Sequence, residues 1–174
     1  MPGAPLGSNN SDQDKPRSDI CQTLRPPDFD QLITFRWLQP YNSHGTLVEV
    51  GYFDWMNNTA YFLSDVHLRI QVDDVERERR KELFLLMDLV KAEKATLFIV
   101  GDWFDFYFEY GYVVSQAYLD VYSKMKELVD AGITIYYFGG NHDYWIGSFL
   151  ADTIGVKIYP KAATIEFAEK QFYF

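Results

Sequence analysis

The sequence predicts an α/β fold built on a mainly parallel sheet. Three short apolar runs, at residues 60–63, 96–100 and 133–138, each end in a polar string, and the stretches between them carry helical periodicity. The spacing agrees. Asp102 follows Asp65 by 37 residues and Asn141 follows Asp102 by 39, room enough for a strand, a helix and a right-handed return to the next parallel strand.

Taken in order, residues 1–28 read as a disordered tail, with scattered prolines and polar residues and no apolar period. Residues 29–55 form an N-terminal extension of unassigned role. Within it, 32–38 and 46–53 read as two strands joined across Pro40, Asn42 and Gly45, and Met56 is a candidate internal start. Residues 56–174 make up the main domain.

Its first strand, 60–63, ends at Ser64-Asp65, and Asp73 or Asp74 caps a helix running towards Ala95. Leu83, Met87 and Val90 mark that helix's core face, while Glu76, Arg77, Glu78, Arg79 and Arg80 read as its solvated start. A second helix over 114–129 turns Ala117, Val121, Met125 and Leu128 inward and exits at Gly132. Beyond the third strand come a short helix at 148–154 and strands near 156–159, 163–167 and 171–174.

Composition narrows the function. With 48% apolar residues in 174, the chain can bury a core without disulfides, and its one cysteine, Cys21, excludes a thiolate zinc cluster. No apolar run reaches the roughly 20 residues of a membrane span, and the N-terminus lacks the apolar core of a signal peptide. A net charge of −9 without a basic patch argues against nucleic acid. A phosphate-bearing substrate would need local positive charge, which bound metal ions can supply.

The chemistry lies in Asp65-Val66-His67, Gly101-Asp102-Trp103-Phe104-Asp105 and Gly140-Asn141-His142-Asp143. Parallel strands deliver their carboxyl ends to one crevice, so these strings are expected to meet there. Carboxylate oxygen and imidazole nitrogen at Asp65 and His67 suit Mn, Fe or Zn. Asp102 has two oxygens with which to bridge a pair of cations, and Asn141 can add an amide oxygen. His142 can face the substrate as hydrogen-bond or proton donor, with Asp143 orienting its ring or stabilising its charge. The plainer readings are turn hydrogen bonds for Asp65, His67 and Asn141, local packing for His142 and an ordinary acidic turn for Asp143.

Asp105 reads as structural or solvent-facing, with support of a ligand as its alternative, and His44 as incidental. The aromatic run from Trp103 to Tyr110 reads as core or lid packing, with a wall for an acyl or nucleoside group as the alternative. Gly139-Gly140 lacks both a dinucleotide fingerprint and a P-loop lysine.

Together the three strings resemble the calcineurin-like metallophosphoesterase family over about residues 59–174. That resemblance implies an α/β/β/α sandwich, incomplete at the C-terminus, and thus a partial domain. It implies two divalent metal ions, Mn first, with Asp65 and His67 on one, Asp102 bridging, Asn141 on the other and His142 at the substrate phosphate. The strings from Gly101 to Tyr110 and from Gly140 to Trp145 look like the branch that hydrolyses UDP-2,3-diacylglucosamine to lipid X and UMP in lipid A synthesis. That branch implies an acylated UDP-sugar as partner and a cytoplasmic enzyme with peripheral access to the bacterial inner membrane. Another nucleotide or phosphodiester metallophosphoesterase, or an inactive truncated product, are the alternative readings. The family also uses later histidines to complete both metal shells, and here none follows His142. Weak or absent Mn binding is accordingly expected of these 174 residues alone.

Overall fold

The computed structural model describes residues 34–35, 49–55, 58–143 and 145–174. The expected tail, 1–28, the candidate start Met56 and most of the stretch between the two early strands lie outside the described residues.

A sheet of six strands runs in the spatial order β1 (Thr34–Phe35), β2 (Glu49–Trp55), β3 (Asn58–Ser64), β4 (Thr96–Val100), β5 (Ile135–Phe138) and β6 (Lys157–Tyr159). The first two joins are antiparallel and the last three parallel. Strand β2, from the stretch set apart as an extension, is thus hydrogen-bonded along its whole length to β3. Between the parallel strands lie α1 (Asp74–Ala92), a 3-10 turn (Gln116–Tyr118) running into α2 (Leu119–Asp130), and a π-helical segment (Leu150–Ile154).

Side chains alternate across the central strands, and the sheet is covered on both faces. Tyr61, Leu63, Leu97, Ile99, Ile135 and Tyr137 pack with Leu83, Met87 and Val90 of α1 and Val121, Met125 and Leu128 of α2. Both faces of these strands are therefore apolar, the near-continuous pattern that buried parallel strands require. On the opposite face, Ala60, Phe98 and Phe138 meet a second two-stranded sheet, β7 (Thr164–Phe167) with β8 (Lys170–Tyr173). There Phe98 stacks between Phe62 and Tyr136 at ring-centre distances of 4.7 and 4.8 Å, and Phe172 and Phe174 close over the ladder. Each such pair adds about 0.5–1.5 kcal/mol beyond its buried area.

Register fixes the site. Leu63 pairs with Ile99, and Val100 with Phe138, so the chain leaves β3, β4 and β5 at one edge of the sheet.

Helix α1 departs from its expected charged face. Asp73 is the N-cap, accepting the Glu76 amide at 2.8 Å, but Glu76, Arg79 and Arg80 are buried while only Arg77 and Glu78 face solvent. The reason is a polar network that periodicity cannot reveal. Glu76 accepts the Arg69 amide, and Arg80 donates to Glu76, to the Ala117 and Arg69 carbonyls and to Asp120. A buried carboxylate among guanidinium groups satisfies the requirement that buried charges be paired.

Candidate metal centre

The ends of β3 and β4 are locked together by backbone hydrogen bonds. The His67 amide donates to the Asp102 carbonyl at 2.8 Å, Leu68 to Trp103 at 3.0 Å, and Asp105 back to Leu68 at 2.9 Å. Turning out of the strands in this way places Asp65, His67 and Asp102 in the left-handed region, at φ 56°, 47° and 51°. Such backbone strain in residues with a Cβ gathers at functional sites, where surrounding contacts hold it. The turn after β5 closes the edge. At Gly140 an added Cβ would stand 2.1 Å from Asp102 Oδ1, so only glycine lets this turn lie against the carboxylate.

Ligand-bearing atoms of His67, Asp102 and His142 consequently lie within 4.8 Å of one another. His67 Nε2 is 3.7 Å from Asp65 Oδ1 and 4.0 Å from Asp102 Oδ2, and the two imidazole rings meet edge to face at 4.6 Å. The Asp65 carboxylate also accepts the Ser64 hydroxyl at 2.5 Å. Asn141 is exposed in the turn, between Gly140 and His142.

His142 and Asp143 point to different surroundings. The His142 ring places Nδ1 2.8 Å from the Asp105 carbonyl oxygen, and that hydrogen bond, more than the carboxylates of Asp102, Asp105 and Asp143, raises the imidazole above its ordinary pKa. Donation from Nδ1 leaves Nε2 free to face a ligand. Asp143, expected to orient this ring, is instead fully buried and accepts from the Trp103 amide at 3.0 Å, the Gly140 amide and the Tyr137 hydroxyl. Burial, with the Asp143 charge second, drives the Tyr137 phenol well above its ordinary pKa and keeps it a donor. Asp143 thus ties the β5 turn to the β4 turn.

Asp105, read from sequence as structural or solvent-facing, brings Oδ1 to 3.5 Å from His142 Nδ1 and 3.9 Å from His67 Nδ1. The signal was its place in Gly101-Asp102-Trp103-Phe104-Asp105; its direction required the loop. The aromatic run divides by side. Trp103, Phe104 and Tyr107 are buried in the core, whereas Phe106, Phe108 and Tyr110 are exposed on the outer side, Phe106 near Trp145. A cleft of about 370 Å³ opens beside Asp102, lined also by Gly140, Tyr159, Lys161 and Phe174.

These groups suit a divalent cation. Carboxylate oxygens and imidazole nitrogens converge there, with His67 Nε2 turned to the carboxylates of Asp65 and Asp102. No helix among the described residues is long and apolar enough to cross a membrane.

Comparison with known proteins agrees with this geometry. The UDP-2,3-diacylglucosamine hydrolase of Porphyromonas gingivalis is 35% identical over 119 residues, covering 67% of this chain and 45% of that protein. The enzyme of the same name from Stenotrophomonas maltophilia is 33% identical over 109 residues, covering 62% and 42%, and that of Neisseria meningitidis serogroup B is 29% identical over 112, covering 62% and 43%. The chain spans less than half the length of these relatives. The calcineurin-like phosphoesterase family model matches residues 59–171, which hold all three strand-end strings, and the chain belongs to that family.

Proposed function

We propose that these residues carry one side of a metal-dependent hydrolase site that cleaves the pyrophosphate of UDP-2,3-diacylglucosamine, giving lipid X and UMP. The observation that supports it best is the convergence of His67, Asp102 and His142 at one sheet edge, beside a cleft that also contains Lys161. Relatives named UDP-2,3-diacylglucosamine hydrolase support the substrate.

In this reading Asp65 and His67 would hold one divalent ion, Asn141 a second, and Asp102 would be shared between them. Manganese is the preferred ion, with iron or zinc also suited to the donors. When bound, such ions supply Lewis acidity and water of lowered pKa. The residues do the positioning. The Asp105 carbonyl accepts from Nδ1 and fixes the His142 ring, so that in the protonated imidazolium Nε2 donates a hydrogen bond or proton to a phosphoryl oxygen. Phe106, Phe108 and Trp145 offer an exposed apolar wall for acyl chains. As the resemblance implies, the same reading gives the enzyme a cytoplasmic setting with peripheral access to the inner membrane.

The test uses the whole natural polypeptide that contains these residues. UMP release from UDP-2,3-diacylglucosamine with Mn²⁺ is compared with hydrolysis of a simple aryl phosphodiester. Preference for the acylated UDP-sugar supports the proposal; preference for the simple ester counts against it.

A further inference from the structure

The buried charges of α1 end directly beneath the metal-site loop. Arg79 Nη2 lies 2.6 Å from the Val66 carbonyl oxygen and 2.6 Å from that of His67, and its other partner is the buried Glu76 carboxylate at 3.4 Å. Arg79 is buried, as is Val66 on the chain it holds. One guanidinium nitrogen therefore grips both peptide carbonyls that flank His67, while the His67 amide is held from the other side by the Asp102 carbonyl.

We propose that Arg79 is a positioning residue of the metal site, fixing the backbone of His67 so that its imidazole is presented to Asp65 and Asp102. The proposal rests on the reading of His67 as a metal ligand. His67 has a left-handed backbone at φ 47°, a conformation that relaxes unless its surroundings over-determine it. Donation to two carbonyls supplies that constraint with a charged, planar donor carried on a rigid helix. Glu76 keeps the guanidinium aimed, since it is anchored by the Arg69 amide and Arg80. Arg80 makes the contrast: it too is buried on Glu76, but its carbonyl partners are Arg69 and Ala117, away from His67. Support of this kind around a ligand commonly changes metal affinity by about 10–100-fold.

The experiment compares Arg79→Met, Arg79→Lys and Arg80→Met in the whole natural polypeptide. Mn²⁺ affinity is measured by electron paramagnetic resonance, and amide hydrogen exchange is measured on metal-free protein. For Arg79→Met we expect about a tenfold loss of Mn²⁺ affinity per folded molecule and a similar loss of exchange protection at His67 and Leu68, with protection at Leu63 kept. Arg79→Lys, which retains the charge but puts it on a flexible stem without the planar guanidinium, should lose about threefold in each measurement. Arg80→Met, which removes one anchor of Glu76 but no contact to the carbonyls of Val66 and His67, should lower the melting temperature and cost His67 protection and Mn²⁺ affinity clearly less than Arg79→Met.

If Arg79→Met does not fold, Arg79→Lys decides by the same two readings. A folded Arg79 variant with wild-type affinity and wild-type His67 protection overturns the proposal, as does equal loss in Arg80→Met. Should the wild-type protein take up no Mn²⁺, the metal reading falls, and the metal-free exchange result still decides whether Arg79 holds His67.

Discussion

The backbone amide of His142 donates to Asp102 Oδ1 at 3.0 Å, while Asp102 Oδ2 faces His67 Nε2 at 4.0 Å. One carboxylate therefore joins the turns after β4 and β5 and still presents an oxygen to the imidazole from β3. Replacing it by an isosteric amide separates these duties. Asp102→Asn keeps an oxygen for the His142 amide but removes the charge, so the fold should persist while metal-dependent turnover falls on the order of 100-fold or more. Circular dichroism together with turnover across a Mn²⁺ titration checks this; near wild-type activity would remove Asp102 from the bridging role.

Gly140 should tolerate no side chain. A Cβ there meets Asp102 Oδ1 at 2.1 Å and the Asp102 amide nitrogen at 2.5 Å, contacts that only movement of the turn can relieve. Gly140→Ala is expected to cost about 2 kcal/mol or more in urea unfolding and to weaken metal binding in the same protein. At neighbouring Gly139 the nearest contact is 3.7 Å, to the Ile146 side chain, and Gly139→Ala should cost well under half as much. Equal losses would show that backbone freedom, not the approach to Asp102, explains both glycines.

Asp143 carries a different kind of prediction, because its carboxylate joins backbone amides and a phenol instead of the His142 ring. Asp143→Ala leaves the buried Trp103 amide and Tyr137 hydroxyl without this acceptor, and should cost about 2–4 kcal/mol in urea unfolding. In the folded variant the pH profile of turnover should move slightly downwards, because the Asp143 charge is one of the lesser causes that raise the His142 imidazole. Unchanged stability together with a large loss of turnover would assign Asp143 to the chemistry instead of the scaffold.

Much of this arrangement was legible in the chain. The three strands, both long helices and the meeting of Asp65, His67, Asp102 and His142 follow from apolar period and strand-end placement, because a parallel sheet delivers its loops to one edge. What could not be read depends on direction. Asp105 and Asp143 are both acidic residues of turns, and only the folded loops send one towards the imidazoles and the other into the interior. The helical period of α1 gives Leu83, Met87 and Val90 but says nothing of Glu76, Arg79 and Arg80, whose burial depends on carbonyls brought from Val66, Arg69 and Ala117. Asp73, by contrast, was legible as a candidate cap from its type and place.

That cap gives the pH prediction. Asp73 accepts the Glu76 amide, the main reason its pKa lies below the ordinary 3.8, and the ion pair with Arg69 at 2.8 Å acts in the same direction. A carboxylate whose folded pKa is depressed stabilises above its unfolded value, and that contribution is lost as pH falls through the folded one. Asp73→Asn preserves a capping oxygen while removing the charge, so it isolates this effect. The wild-type protein should melt higher than Asp73→Asn from neutral pH down to about pH 4, with the difference shrinking below that and vanishing once the wild-type carboxylate is protonated. Melting temperatures by circular dichroism from pH 7 to pH 3 make the comparison. A difference that stays constant to pH 3 would mean that the charge of Asp73 contributes nothing to the cap beyond its oxygen.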